Sequence, residues 1–255
     1  GFKVSNWDDG YGDFHLVPDM STIRVAHWLD NTVIVMANVI SQKTHQPQSV
    51  APRQILQKQL ERLERLGYGC DVATELEYFL YKTSYRNAVL QDYRHLKSAG
   101  WYREDYHILQ GNRTEPFHAT VRQQLKKSGI PIESTKGEWG IGQHELNVQY
   151  TDALEMADRH ILLKNCLKST ADKMGWSATF MAKPYTEKAG SSCHLHLNIT
   201  QNGKNAFSQS IKNGKTQTTD IFNQFLAGWI RHTPEAMPFF APTVNSYKRY
   251  QNSSW

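Results

Sequence analysis

Along residues 71–82 apolar and polar side chains trade places at nearly every step. A strand with that alternation sends Glu75 and Glu77 to one face, beside Ala73, Phe79 and Tyr81. The same period of two runs through 143–149, where Gln143, Glu145, Asn147 and Gln149 share one face and Leu146 and Val148 the other. It returns in 192–200, with His194, His196 and Asn198 opposite Cys193, Leu195, Leu197 and Ile199. Another strand is read at 176–181, and Asn202-Gly203 marks a turn. A helical period governs 52–66: Pro52 opens it, Ile55, Leu56, Leu60, Leu63 and Leu66 keep to one stripe, and Gly67 and Gly69 close it. Helices are also predicted over 117–127, over 152–174 with Gly175 as the stop, and over 220–232.

The first 45 residues carry shorter signals. Asp8-Asp9-Gly10 is turn chemistry, 13–17 suits a short strand, and Asp30-Asn31-Thr32 precedes the β-rich run Val33-Ile34-Val35-Met36. Residues 1–45 therefore read as the remnant of a small β domain, the polar stretch 41–49 as a linker, and 46–255 as the main domain. Strands and helices mix without a regular βαβ beat and no repeat is visible, so the expected class is α+β. Neither a Walker-type loop nor a dinucleotide fingerprint is present.

A chain of 255 residues with 39% apolar content can bury a sizeable core. Its net charge of +5 is spread along the sequence, unlike an arm that tracks phosphates. Small anionic substrates fit that charge, and no nucleic-acid partner is expected. No apolar run is long enough to span a bilayer, and the start Gly1-Phe2-Lys3 has no leader pattern. The expectation is a soluble, cytoplasmic protein with no membrane partner. Cys70, Cys166 and Cys193 are odd in number and scattered, which indicates mostly buried free thiols, with no disulfide framework or thiolate zinc site. With no initiator Met and a polar run, Gln251-Asn252-Ser253-Ser254, before Trp255, the chain is expected to be a fragment lacking both ends.

The alternating strands carry the chemistry. Neighbouring carboxylates such as Glu75 and Glu77 repel and raise each other's pKa unless a cation lies between them, and a hard divalent ion supplies it. Glu138 lies in a glycine-rich stretch, Lys136-Gly137-Glu138-Trp139-Gly140, read as a turn that lets backbone approach a ligand. His194-Leu195-His196 suits metal ligation and a phosphate contact. A wet sheet face also produces each pattern taken singly. Three such strands in one chain favour a metal centre, and carboxylates with an imidazole favour Mg2+ or Mn2+ over zinc.

Five segments in order complete the picture: Thr74-Glu75-Leu76-Glu77-Tyr78-Phe79-Leu80, Gly142-Gln143-His144-Glu145, Phe180-Met181-Ala182-Lys183-Pro184, Gly190-Ser191-Ser192-Cys193-His194-Leu195-His196 and Asn245-Ser246-Tyr247-Lys248-Arg249. Together they resemble the glutamine synthetase superfamily over nearly the whole chain. The resemblance implies a glutamine synthetase/guanido kinase-like catalytic domain with a curved antiparallel sheet, preceded by part of a β-grasp domain. By position, Glu77, Glu138 and Glu145 look like ligands of a first metal ion, and Glu75 and His194 like ligands of a second that bridges ATP phosphates. Glu133, His196 and Asn198 resemble nucleotide-contacting positions, with Asn198 standing where the family often has Ser. Gly190 resembles the backbone position that holds glutamate, and Arg249 an arginine that binds its carboxylate.

The implied activity is ATP-dependent ligation of the glutamate γ-carboxylate to ammonia or another amine through γ-glutamyl phosphate, in a ring-shaped homo-oligomer with active sites between subunits. Ala189 replaces the family's usual Asn before Gly190, which leans towards ligases of larger amines such as polyamines or ethanolamine. The family's amine-side base, further arginines and a third ligand of the second metal would lie after Trp255. The rival of another class is a catalytically silent structural or regulatory paralogue.

Overall fold

The computed structural model describes residues 6–8, 10, 12–211 and 214–250. The start Gly1-Phe2-Lys3, Asp9 of the expected first turn, and the polar run 251–254 lie outside the described residues.

Four short strands come first: β1 (Phe14–Pro18), β2 (Arg24–Val25), β3 (Val33–Ile34) and β4 (Ala37–Ser41). They pair antiparallel, β1 with β4 and β2 with β3. Between them a 3-10 turn over Met20–Thr22 is capped by Asp19, whose carboxylate accepts from the Ser21 N–H. This segment is bound to the rest of the molecule. The Trp28 ring is buried in the main core and its indole N–H donates to Asn165 Oδ1 at 2.7 Å. Arg53 holds Asp158 and Asp19, each at 2.9 Å, and Asn38 Oδ1, also at 2.9 Å.

Then follow α1 (Pro52–Arg65), β5 (Gly69–Tyr81), α2 (Tyr85–Leu90), α3 (Ile108–Lys127), β6 (Ile132–Gly137), β7 (Gln143–Val148), β8 (Thr151–Asp152) and α4 (Ala153–Lys173). The chain continues through β9 (Ser177–Thr179), β10 (Cys193–Gln201), β11 (Lys204–Asn205), β12 (Ser208–Ser210), β13 (Thr216–Thr218) and α5 (Asp220–Phe240). The main sheet runs β11-β10-β5-β7-β6, with β8 and β9 also on β5, and every pairing is antiparallel.

Period-two alternation gives this sheet two unlike faces. Val72, Leu76, Tyr78 and Leu80 of β5, with Leu146 and Val148 of β7, enter one buried core with Phe117, Val121 and Leu125 of α3 and Met156, Leu163 and Leu167 of α4. Glu75, Glu77 and Glu145 alternate with them onto the opposite face. Asp152 sets the start of α4, its carboxylate accepting from the Leu154 and Glu155 N–H groups at 3.2 and 3.1 Å. The α+β class expected from the mixture of strands and helices is thus what forms, with every pairing in the main sheet antiparallel.

Several boundaries differ from the sequence reading. The helix read as 117–127 begins at Ile108, capped by His107, and the one read as 220–232 runs to Phe240. Both pass through prolines, Pro116 in α3 and Pro234 and Pro238 in α5. A proline removes one N–H from the ladder, and a long helix tolerates that loss where its neighbours hold. Lys136 and Gly137, read as part of a turn, are instead the end of β6, paired with Glu145 and His144. The cysteines are free, with Cys166 buried, Cys70 half-buried and Cys193 exposed.

Candidate functional site

Registers turn the three polar strand faces into two rows across the sheet. One row places His194 of β10 beside Glu75 of β5, then Asn147 of β7 and Ser134 of β6. The next places Glu77 beside Glu145 and Glu145 beside Lys136. Strands lie about 4.8 Å apart, so side chains in these rows meet without the backbone bending to reach.

Glu75, Glu145 and His194 each offer a ligand atom, and the three atoms lie within 4.8 Å of one another. Glu75 sits between two imidazoles, with His194 Nδ1 and His196 Nε2 each 3.0 Å from one of its oxygens. Burial pushes the Glu75 carboxyl up, but the hydrogen bonds of His194 and His196 outweigh it and leave the group below its ordinary value. Glu145 is almost fully buried, whereas His194 and His196 stand exposed at the rim.

Glu77, the register partner of Glu145, lies beside this cluster with both of its oxygens hydrogen-bonded. It accepts from Gln143 Nε2 at 2.9 Å, from the Ser192 N–H at 3.1 Å and from the Ser192 hydroxyl. The same Gln143 Nε2 donates to the Gly190 carbonyl at 2.8 Å, which ties the β10 approach to β7. Glu138 follows β6, where its N–H donates to the Gln143 carbonyl at 2.9 Å and its carbonyl accepts from the Asp105 N–H at 3.2 Å. Its side chain meets Glu145 through Lys136, whose ammonium is 2.7 Å from Glu138 Oε1 and 3.2 Å from Glu145 Oε1.

Glu133, His196 and Asn198 line a single cleft of about 750 Å³ together with Glu75 and Asn147. Asn147 Oδ1, in this cleft, is buried without a hydrogen-bond partner. At the other side of the site Gly190 is packed so closely that an added Cβ would fall 2.7 Å from the Ala182 carbonyl oxygen and 3.2 Å from Arg249 Cδ. Arg249 lies in a 3-10 turn, Ser246–Arg249, and its Nη1 is buried with no hydrogen-bond partner. Asn245 fastens that turn by accepting from the Lys183 N–H at 2.8 Å and donating to the Lys183 carbonyl at 2.9 Å.

The structure therefore gathers Glu75, Glu145 and His194 most tightly, keeps Glu77 and Glu138 beside them, and sets Glu133, His196 and Asn198 along the adjoining cleft. Gly190 and Arg249 share the opposite flank. Sequence reasoning did not single out Lys136, Gln143 or Ser192. Gln143 was legible as part of the polar face of its strand, but nothing in the spacing announced Lys136 as a partner of two carboxylates.

The family model described as "Glutamine synthetase, catalytic domain" matches residues 49–255. The chain belongs to the glutamine synthetase family. Among curated relatives, it is 39% identical over its whole length to a gamma-glutamylethanolamide synthetase GlnA4 of Streptomyces coelicolor, covering 54% of that protein. It is 34% identical, again over its whole length, to a glutamate–isopropylamine ligase of a Pseudomonas species, covering 55% of it. A solved structure described as apo GmaS without ligand superposes with a TM-score of 0.83 at 28% identity, over 95% of this chain and 55% of that one. The chain spans about half the length of the curated relatives it matches. No helix among the described residues is long and apolar enough to cross a membrane.

Proposed function

We propose that this chain forms the metal- and nucleotide-binding part of an ATP-dependent ligase that joins the γ-carboxylate of glutamate to an amine. What carries the reading is the convergence of Glu75, Glu145 and His194, from three adjacent strands, within 4.8 Å. The donor set fits a hard divalent ion: carboxylate oxygens with one imidazole and no thiolate, the pattern of Mg2+ or Mn2+. Two of the oxygens, Glu138 Oε1 and Glu145 Oε1, are buried and already share one cation, the Lys136 ammonium, in keeping with a place that takes positive charge. In this reading Glu77, Glu138 and Glu145 hold one ion, and Glu75 and His194 hold another. Bound ions would neutralise the charge that spreads over the phosphate oxygens during transfer.

The chain's own residues do the positioning. Glu133, His196 and Asn198 contact the nucleotide along the cleft. The close-packed Gly190 backbone holds glutamate, and the unpartnered Arg249 Nη1 binds a carboxylate as a charge-assisted donor. So held, the glutamate γ-carboxylate attacks the γ-phosphorus of ATP, ADP leaves, and γ-glutamyl phosphate forms. The amine then attacks the acyl carbon, loses a proton and expels phosphate. Glu145 and Arg249 are assigned the catalytic roles, through metal and carboxylate respectively.

The names of the two amine-ligating relatives support a larger amine over ammonia, as does Ala189 beside Gly190. We further assign residues 1–45 to an N-terminal β-grasp remnant and the complete protein to a cytoplasmic, ring-shaped homo-oligomer. The test is phosphate release by the complete protein, which should need ATP, glutamate, a divalent ion and amine together. A panel of ammonia, putrescine, spermidine and ethanolamine then ranks the amines. Absence of release from folded protein would favour a silent paralogue, and a preference for ammonia would overturn the lean to larger amines.

A further inference from the structure

Lys136 is the register partner of Glu145, and its ammonium lies between two proposed metal ligands, 2.7 Å from Glu138 Oε1 and 3.2 Å from Glu145 Oε1. Both oxygens are buried, and this ammonium is the cation each of them meets. It also donates to the Tyr106 hydroxyl at 3.2 Å and lies 5.1 Å from the centre of that ring. Two carboxylates brought to one place, Glu145 buried and Glu138 half-buried, need a cation, and an ammonium is a compact point charge with freely rotating donors.

We propose that Lys136 is a tethered counter-cation: its ammonium holds the place between Glu138 and Glu145 until a divalent ion binds, and binding displaces it. The inference rests on the metal-centre reading above. Two consequences follow. Metal must compete with an ammonium that cannot diffuse away, so apparent affinity falls with the fraction of time Lys136 occupies the place. The displaced ammonium keeps Tyr106 as an acceptor and stays at the edge of the site. Metal binding therefore adds the ion's own charge to a site whose edge already holds the lysine, which favours the anionic substrates.

Tyr106 is well placed for this exchange. It belongs to a turn with positive φ at Asp105 and Tyr106, and the Asp105 N–H donates to the Glu138 carbonyl at 3.2 Å. One turn thus touches both the lysine and the backbone of the ligand it screens.

The experiment combines Mn2+ titration calorimetry of wild type, Lys136→Met and Glu145→Gln with acylation of Lys136 by an amine-reactive ester, read by peptide mass spectrometry with and without Mn2+. The expected results are about tenfold tighter Mn2+ binding by Lys136→Met, a lower metal-free melting temperature that Mn2+ restores, and faster acylation of wild-type Lys136 when Mn2+ is added. The acylation arm needs no variant and separates displacement from a long-range effect of removing a charge. Unchanged or weaker Mn2+ binding by folded Lys136→Met, or acylation that Mn2+ leaves unchanged or slows, overturns the proposal. Mn2+ binding that Glu145→Gln does not weaken would sink the metal centre itself, whereas an intact centre with an unresponsive Lys136 sinks this inference alone.

Discussion

Glu75 and His194 face each other as register partners on β5 and β10, with 3.0 Å between Oε2 and Nδ1. Their separation is set by sheet spacing and not by a loop, so the pair is held in place before any ligand arrives. His194→Ala should therefore leave the sheet intact and weaken Mg2+-dependent nucleotide binding at least tenfold, on the order of what losing a metal-site group costs. Fluorescent nucleotide titration with and without Mg2+ reads this, and equal affinity for both proteins would remove His194 from the site.

Glu145 is nearly inaccessible, yet its strand neighbours Leu146 and Val148 do the packing on the other face. Glu145→Gln keeps the shape and removes the charge. Activity of the complete protein should fall at least 100-fold, while far-ultraviolet circular dichroism and melting temperature stay close to wild type, since most contacts survive. Substantial residual turnover would contradict the role given to this carboxylate.

The Arg53 guanidinium joins Asp158, which is nearly fully buried, to Asp19 and Asn38 of the N-terminal segment. Arg53→Met leaves the Asp158 charge buried and uncompensated, and should cost about 3 kcal/mol in urea unfolding. The same variant should expose residues 14–50 to limited proteolysis. A change below about 0.5 kcal/mol would show that the network contributes little.

His118, buried, and His160, half-buried, make stability depend on pH. Burial, with the Arg122 charge, lowers His118 from an ordinary 6.5 to about 3, and burial, with the Lys164 charge, lowers His160 to about 4. Both are neutral in the fold, whereas the unfolded chain protonates them as pH drops below 6.5, so acid favours unfolding. Stability is fully present above that pH, and is lost down to about 4 for His160 and about 3 for His118. The loss is about 1.4 kcal/mol per histidine per pH unit. Urea midpoints between pH 7.5 and 5.5 should fall accordingly, and His160→Gln should flatten the slope. Glu104, which burial pushes up from 4.5 to about 7, works in the opposite direction over that range, so the comparison of the two proteins is the decisive one, and equal slopes for wild type and His160→Gln would contradict the assignment.

How far the sequence leads depends on which physical signal a residue leaves. β5, β7 and β10 were readable because a sheet with one wet and one buried face writes a period of two, and Glu75, Glu145 and His194 follow from it. The start of α3 at Ile108 and the end of α5 at Phe240 were hidden because proline is a local signal and helix continuity a tertiary one. The last two residues of β6 read as a turn because Lys136-Gly137 looks like loop chemistry until β7 is beside it to pair. Lys136 itself left no trace, since a lone lysine gains its meaning only from the two carboxylates that register brings to it. The proposed division of labour between the metal positions came from family resemblance, and alternation alone does not distinguish Glu75 from Glu77.

The most direct test of the central claim is an anomalous-scattering map from crystals soaked in Mn2+ with a non-hydrolysable ATP analogue. The account predicts density peaks enclosed by Glu75, Glu77, Glu138, Glu145 and His194, with phosphates along the cleft that holds Glu133, His196 and Asn198. A map with Mn2+ bound elsewhere, or with those side chains uncoordinated at saturating metal, would contradict it.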